Sequence, residues 1–251
     1  MPGRLLKSPH TLPIAVLAVV IAGVSVAVAL LINWLPDASS EEADRVDPLI
    51  WWTVFASIFI FTIVLTFLLY SVWRFRASPG DEEDGPPIHG NTKLEVVWTA
   101  IPTLMLVVTA IWAALVLHKN EALAAPADRM IVDVTAQQFL WQFTYPGTGV
   151  TTGDLRVPAG TQIVLRLHSV DVIHDFFVFE TRIKGDAVPG ITNTQVRFTM
   201  KPDTAGHTYN IVCAELCGIG HAVMRSRMVV MSPEGFRAWL QQAQAATKAG
   251  G

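Results

Sequence analysis

The chain has 251 residues, of which 51% are hydrophobic, and its mean hydropathy is +0.42. This hydropathy is high for a soluble protein, so membrane spans are expected. The formal net charge of -3 is too small to indicate a nucleic acid or another strongly charged partner.

The first apolar segment covers residues 13–35 and is long enough to cross a bilayer. Arg4 and Lys7 precede it and several acids follow it, so the positive-inside rule places the N-terminus in the cytoplasm. A signal peptide has the same pattern, and Ala-Val-Ala at residues 27–29 resembles a cleavage signal. Residues 1–35 are therefore a retained signal-anchor, which the length of the apolar run favours, or a cleaved signal peptide.

Residues 49–118 are predicted to form a transmembrane helical hairpin. Arg74 and Arg76 mark the cytoplasmic end of its first arm, and its second arm begins near Val96. Between the arms, residues 77–92 contain Pro, Gly and four acids, which is typical of a polar turn. With this topology the chain after residue 118 lies outside the cytoplasm.

The hydrophobic period changes to two at Arg129, after a short linker at residues 119–128. Short apolar runs separated by Pro and Gly predict that residues 129–232 form a Greek-key β-sandwich or barrel. A cupredoxin-like fold suits this pattern, with ligands on loops at one end. Residues 233–251 are predicted to form a short C-terminal helix and tail, because Pro follows Ser at its start. The fold class is therefore a membrane-anchored α + all-β chain.

The densest group of metal-binding side chains lies in the segment Cys213-Ala-Glu-Leu-Cys217-Gly-Ile-Gly-His221-Ala-Val-Met224. Soft sulfur together with imidazole selects copper over magnesium or calcium. Three residues between the cysteines can place both sulfurs on one side of a loop, where two thiolates could bridge two metal ions. A mononuclear blue-copper site needs only one cysteine, so the segment predicts a dinuclear copper site.

An alternative interpretation of the same segment is a disulfide, because these are the only two cysteines and exported domains retain disulfides. Inert core cysteines would also fit a lone Cys-x3-Cys. Both alternatives are disfavoured by the density of ligands, since independent core packing rarely collects four metal-capable side chains on one loop.

The spacing Cys-x-Glu-x-Cys-Gly-x-x-His-x-x-Met resembles the dicopper (CuA) loop of cytochrome c oxidase subunit II, and the resemblance extends over about residues 49–232. In that family an upstream Asp-Val-x-His segment supplies another imidazole, which is His174 here. The resemblance implies two bridging thiolates, two imidazoles, a weak thioether and a weak backbone carbonyl ligand. These metal ligands are His174, Cys213, Glu215, Cys217, His221 and Met224. It also implies a magnesium site shared with the catalytic subunit through the Glu215 carboxylate.

Two further segments carry the resemblance. The segment from Glu95 to Pro102 matches the Glu-x-x-Trp-Thr-x-x-Pro that begins the last span of subunit II, which implies that Glu95 lies at a proton-path entrance. A solvated interfacial acid is the alternative for this residue. The family's Gln-Trp-x-Trp segment, whose first Trp receives electrons, has Phe139 and Trp141 at the two aromatic positions here. Electron transfer is assigned to these two residues, although Trp141 also fits an ordinary core aromatic.

The sequence therefore predicts the dicopper electron-transfer subunit of a respiratory haem–copper terminal oxidase. It would accept electrons from a cytochrome c-type donor and pass them to haem in catalytic subunit I, for oxygen reduction and proton pumping in a complex with other oxidase subunits. Haem and the oxygen-reducing centre are assigned to the partner subunit, because this chain has no Cys-x-x-Cys-His motif and no His-rich span. No catalytic residue is assigned to this chain.

The expected location is the cytoplasmic membrane of a bacterium, with several spans and the copper domain on the outer side. Three alternative functions are kept. The first is the same module in a nitric oxide reductase, the second is an exported copper carrier, and the third is a metal-free exported interaction domain with a disulfide.

Overall fold

A computed structural model describes residues 9–77, 79–80, 85, 87, 89–191 and 194–249. Arg4 and Lys7, which orient the first predicted span, lie outside these residues, as do residues 78, 81–84, 86 and 88 of the predicted cytoplasmic turn. The chain forms two compact units. One contains the described residues of the ranges 1–35 and 48–113, and the other contains those of the ranges 36–47 and 114–251.

Within the described residues, three helices are long and apolar enough to cross a membrane: α1 (Thr11–Leu31), α2 (Glu41–Arg74) and α3 (Thr92–Asn120). The prediction of a helical hairpin with an additional N-terminal helix is thereby confirmed. The first helix ends at Leu31, before the predicted residue 35. The second helix begins well before residue 49, because the Ser40 hydroxyl accepts a hydrogen bond from the Ala43 amide and caps it (3.0 Å).

Polar side chains connect the helices within the first unit. The Trp52 indole on α2 donates a hydrogen bond to the Thr109 hydroxyl on α3 (2.9 Å). His10 and Tyr70 form a hydrogen bond between the start of α1 and the end of α2 (2.5 Å). These contacts give the helices fixed partners in an apolar environment, where an unpaired polar group would cost free energy.

The second unit is a β-sandwich of two five-stranded sheets. Its strands are β1 (Arg129–Gln137), β2 (Leu140–Tyr145), β3 (Val150–Thr152), β4 (Leu155–Pro158), β5 (Gln162–Ser169), β6 (His174–Val178), β7 (Ile183–Ala187), β8 (Thr194–Thr199), β9 (Thr208–Cys213) and β10 (Arg225–Met231). One sheet has the order β3-β2-β1-β5-β8 and the other has the order β4-β10-β9-β6-β7. The predicted cupredoxin-like sandwich is confirmed as a fold class.

The core lies between the two sheets and consists of the inward-facing residues that alternate along the strands. At most 1% of the surface is exposed in core residues of both sheets, such as Val134 and Leu165 of the first and Phe176 and Ile211 of the second. Fully burying one such side chain contributes about 1.5–3 kcal/mol, so the sandwich supplies a stable frame for its loops. Helix α4 (Pro233–Ala249) then packs its apolar face on the sandwich, including a ring contact between Trp239 and Tyr145.

The segment of residues 36–47, here called the strap, belongs to the β-domain unit. Its Ser39 amide donates to the Glu180 carbonyl (2.9 Å), and the Lys201 amide donates to the Ser39 carbonyl (3.0 Å). The buried Glu42 carboxylate accepts the Thr199 amide (2.8 Å). The hydrophobic pattern predicted no role for this segment, because its contacts are polar and join residues far apart in sequence.

Candidate metal centre

The predicted metal loop runs from Cys213 to Met224, and its two ends are fixed by adjacent strands. Cys213 is the last residue of β9 and Met224 directly precedes β10. The Cys213 amide donates to the Met224 carbonyl (3.2 Å), which closes the base of the loop. The next amide, that of Ala214, donates to the Asp175 carbonyl on β6 (2.9 Å), one residue after His174. The sheet therefore brings His174 beside the loop.

The sulfurs and imidazoles lie close together at this loop. The Sγ atoms of Cys213 and Cys217 are 3.8 Å apart and both thiols are free, so they form no disulfide. The Cys213 sulfur lies 3.9 Å from His174 Nδ1, and the Cys217 sulfur lies 3.7 Å from His221 Nδ1. Each thiol therefore has an imidazole of its own.

The two weaker predicted ligands extend this pairing. The Glu215 carbonyl oxygen is 3.2 Å from the Cys213 sulfur. The Met224 sulfur is 3.8 Å from the Cys217 sulfur. Each of the other four predicted ligands therefore has its donor atom within 4 Å of one of the two cysteine sulfurs. Because a metal–sulfur bond is about 2.3 Å long, a metal ion could contact both thiolates at this separation.

Four of the six predicted ligand residues are buried, whereas His221 is half-buried and the Glu215 side chain is exposed. His174 and Met224 are fully buried, Cys217 is 3% exposed and Cys213 is 7% exposed. Burial, followed by the hydrogen bond and charge of Cys213, raises the pKa of Cys217 to about 11. Two adjacent thiolates are therefore unfavourable here without a cation, and a soft metal ion fits the charge and chemistry of the donor set.

The orientation of His174 is set by Asp171. Its Nε2 lies 2.8 Å from Asp171 Oδ1, which leaves Nδ1 directed at the Cys213 sulfur. Desolvation raises the pKa of Asp171, but hydrogen bonds from the Gln138 amide, the His174 ring and the Val172 amide outweigh it and lower the pKa to about 2. An ionised carboxylate at Nε2 holds the ring in the tautomer that presents Nδ1 to a metal. The spacing Asp-Val-x-His contained this signal, although the sequence alone did not identify the acceptor.

The two aromatic residues take different positions. Trp141 is 2% exposed, and its ring contacts those of His174 and Phe176 with centroids 6.1 and 5.7 Å apart. Phe139 is half-buried and lies against Gly218 and Gly220 of the metal loop. Trp141 therefore reaches a ligand from inside the domain, whereas Phe139 covers the loop nearer to the surface.

Glu215 and Glu95 differ from the buried ligands. The Glu215 side chain is exposed, so its carboxylate is accessible from outside the domain while its carbonyl faces the sulfur. Glu95 lies in the first turn of α3, which Asn91 caps through the amides of Lys93 and Leu94. It belongs to the unit of membrane helices and is exposed there.

One residue that the sequence interpretation left without a role contacts the loop directly. The Gln138 side-chain amide donates a hydrogen bond to the Cys217 carbonyl (2.6 Å). Gln138 precedes the aromatic position in the Gln-x-x-Trp segment, and this position was the available signal.

Comparison with known proteins gives the family. The model of the cytochrome c oxidase subunit II transmembrane domain matches residues 14–116, and that of the periplasmic domain matches residues 150–232. Cytochrome c oxidase subunit 2 of Thermostichus vulcanus is 31% identical over 84% of this chain and 79% of its own length. The chain belongs to the cytochrome c oxidase subunit II family. The subunit 2 of Synechocystis sp. is 29% identical over 94% of this chain and 83% of its own length.

Among solved structures, the periplasmic domain of cytochrome oxidase subunit II of Bradyrhizobium japonicum covers 47% of this chain and 95% of that domain, with 24% identity and a TM-score of 0.42. As a member of the subunit II family, the chain is an oxidoreductase subunit of a haem–copper oxidase, as predicted. The family implies a copper centre, and the group formed by His174, Cys213 and Cys217 fits one. The three helices that are long and apolar enough to cross a membrane, together with the periplasmic-domain match, indicate a membrane protein with an extracytoplasmic domain.

Proposed function

We propose that this subunit II carries a dinuclear copper centre that accepts electrons from a cytochrome c-type donor and passes them to haem in the catalytic subunit, which reduces oxygen and pumps protons. One observation supports this most strongly: two free, buried thiols lie 3.8 Å apart and each has its own imidazole within 4 Å. A copper carrier would need exchangeable ligands, whereas His174 and Met224 are fully buried.

The protein's contribution to electron transfer is rigidity. When bound, the copper pair supplies one-electron redox chemistry. The loop ends are fixed on β9 and β10, and Asp171 orients the His174 ring. The ligands would therefore change little in geometry between oxidation states. The buried side chains of Phe176 and Ile211 belong to the core that excludes water from beneath the site. A rigid environment without water lowers the reorganisation energy of each electron transfer.

The remaining residue roles belong to the same proposal. Phe139 at the loop surface is assigned to electron entry, and Trp141 is assigned to coupling through its ring contact with His174. The exposed Glu215 carboxylate is assigned to a magnesium ion shared with the catalytic subunit. Glu95, at the start of α3, is assigned to the entrance of a proton path.

The proposal is tested by purifying the oxidase complex that contains this chain and measuring its copper content and electron paramagnetic resonance spectrum. Two coppers at this subunit with one electron shared between them give a multi-line hyperfine pattern. A single copper with a mononuclear spectrum, or a disulfide between Cys213 and Cys217, would refute the dinuclear site. A complex that reduces nitric oxide rather than oxygen would refute the assigned acceptor only.

A further inference from the structure

The turn between β1 and β2 lies over the metal loop. Gln138 and Phe139, here called the clasp, form this turn between Gln137 and Leu140. They belong to the sheet β3-β2-β1-β5-β8, whereas the metal loop joins two strands of the other sheet. The clasp is therefore a contact between the two sheets at the site itself.

Gln138 makes one hydrogen bond to each side of the site. Its backbone amide donates to Asp171 Oδ2 (2.7 Å), and Asp171 in turn orients His174. Its side-chain Nε2 donates to the Cys217 carbonyl (2.6 Å). A backbone carbonyl can only accept, so the side-chain nitrogen must face it. A single residue thus joins the carboxylate that holds one ligand to the backbone of another.

The metal loop has glycines where the clasp approaches it. A Cβ atom at Gly218 would lie 2.8 Å from Gln138 Nε2, and one at Gly220 would overlap the Phe139 ring. Gly218 also has a φ of 127°, a conformation that favours glycine. The loop is therefore shaped to admit the clasp, which supports a specific contact rather than a chance one.

We propose that Gln138 is a positioning residue of the copper site: by tying Cys217 to the Asp171–His174 pair, it fixes the two halves of the ligand set relative to one another before copper binds. This inference rests on the proposed function for the identity of the metal. The contact itself is a property of the copper-free chain and can be measured there.

The test replaces Gln138 by Leu in the full-length chain, with Gln137→Leu as the matched control on the neighbouring exposed residue. Amide hydrogen exchange at residues 217–224 is measured in the copper-free chain. Loss of one hydrogen bond, worth about 1 kcal/mol, corresponds to about fivefold faster exchange. In the copper-loaded complex, Gln138→Leu should keep two coppers but change the hyperfine pattern and the reduction potential, whereas Gln137→Leu should change neither.

A second variant separates the hydrogen bond from packing. Gln138→Glu keeps the length of the side chain, but an ionised carboxylate cannot donate to the Cys217 carbonyl. It should accelerate exchange at least as much as Gln138→Leu. Exchange and spectra of either variant that match those of Gln137→Leu would overturn the positioning role. A wild-type complex without a copper pair would refute the proposed function, yet the exchange comparison would still decide the role of Gln138.

Discussion

Replacing Met224 by Leu isolates the contribution of the thioether to the copper site. Met224 is fully buried, and its sulfur lies 3.8 Å from the Cys217 sulfur. Leu has a similar volume and is also apolar, so the substitution should destabilise the fold by less than about 1.5 kcal/mol. The variant should therefore fold and retain both coppers through its thiolates and imidazoles.

The expected change is in the reduction potential. A weak axial thioether tunes the potential by donating electron density, and this donation stabilises the oxidised form more than the reduced form. If it favours the oxidised form by about 1.4 kcal/mol, its loss raises a one-electron potential by about 60 mV. Leu cannot donate in this way, so the potential of Met224→Leu should be higher than that of the wild type.

The assay is a redox titration of the thiolate absorption bands, with copper content and thermal unfolding measured on the same samples. A higher potential at unchanged copper content supports the ligand role. An unchanged potential would remove Met224 from the ligand set and leave it as a core residue. Loss of both coppers would show that it holds the metal rather than tunes it.

Three further changes test other parts of the account. Cys217→Ser should abolish the multi-line spectrum, and a retained pattern would contradict the bridging role. Asp171→Asn should weaken copper retention about 10–100-fold in a chelator competition, because the orienting carboxylate is lost; retention equal to wild type would contradict that role. The pKa of Asp171 is lowered from its ordinary value of 3.8 to about 2, so its contribution to stability is present above about pH 4. That contribution is lost as the pH falls towards 2. Between about pH 4 and pH 2 the copper-free Asp171→Asn chain should therefore lose less stability than the copper-free wild type. Arg182→Met removes the ion pair between Arg182 and the strap residue Asp47 (2.8 Å) and should lower the free energy of unfolding by about 1–3 kcal/mol. An unchanged melting temperature would show that this strap contact is not stabilising.

The fold class was predictable because its determinants are local. Apolar runs long enough to cross a bilayer as helices predicted the three helices. Apolar residues at every second position, with Pro and Gly between the runs, predicted the strands. Helix α2 extends to Glu41, before the predicted span from residue 49, and hydropathy alone does not indicate this polar first turn. Ser40, with acids in the first turn after it, was an available helix-start signal.

The metal loop was predictable because four ligand-type residues lie within one short segment of the sequence. The parts that were not predicted depend on contacts between distant residues. Gln138 lies 79 positions before Cys217, and the strap residue Glu42 lies 157 positions before Thr199. Nothing in the local pattern of either residue indicates its partner, because such pairs exist only once distant parts of the chain have folded together.

The most direct test of the central claim is the electron paramagnetic resonance spectrum of the purified complex, recorded with a copper count on the same sample. The account predicts two coppers bound by Cys213 and Cys217, with one unpaired electron shared equally and a hyperfine pattern from two equivalent nuclei. A spectrum from one copper nucleus, or no copper signal from a chain whose thiols are intact, would contradict it.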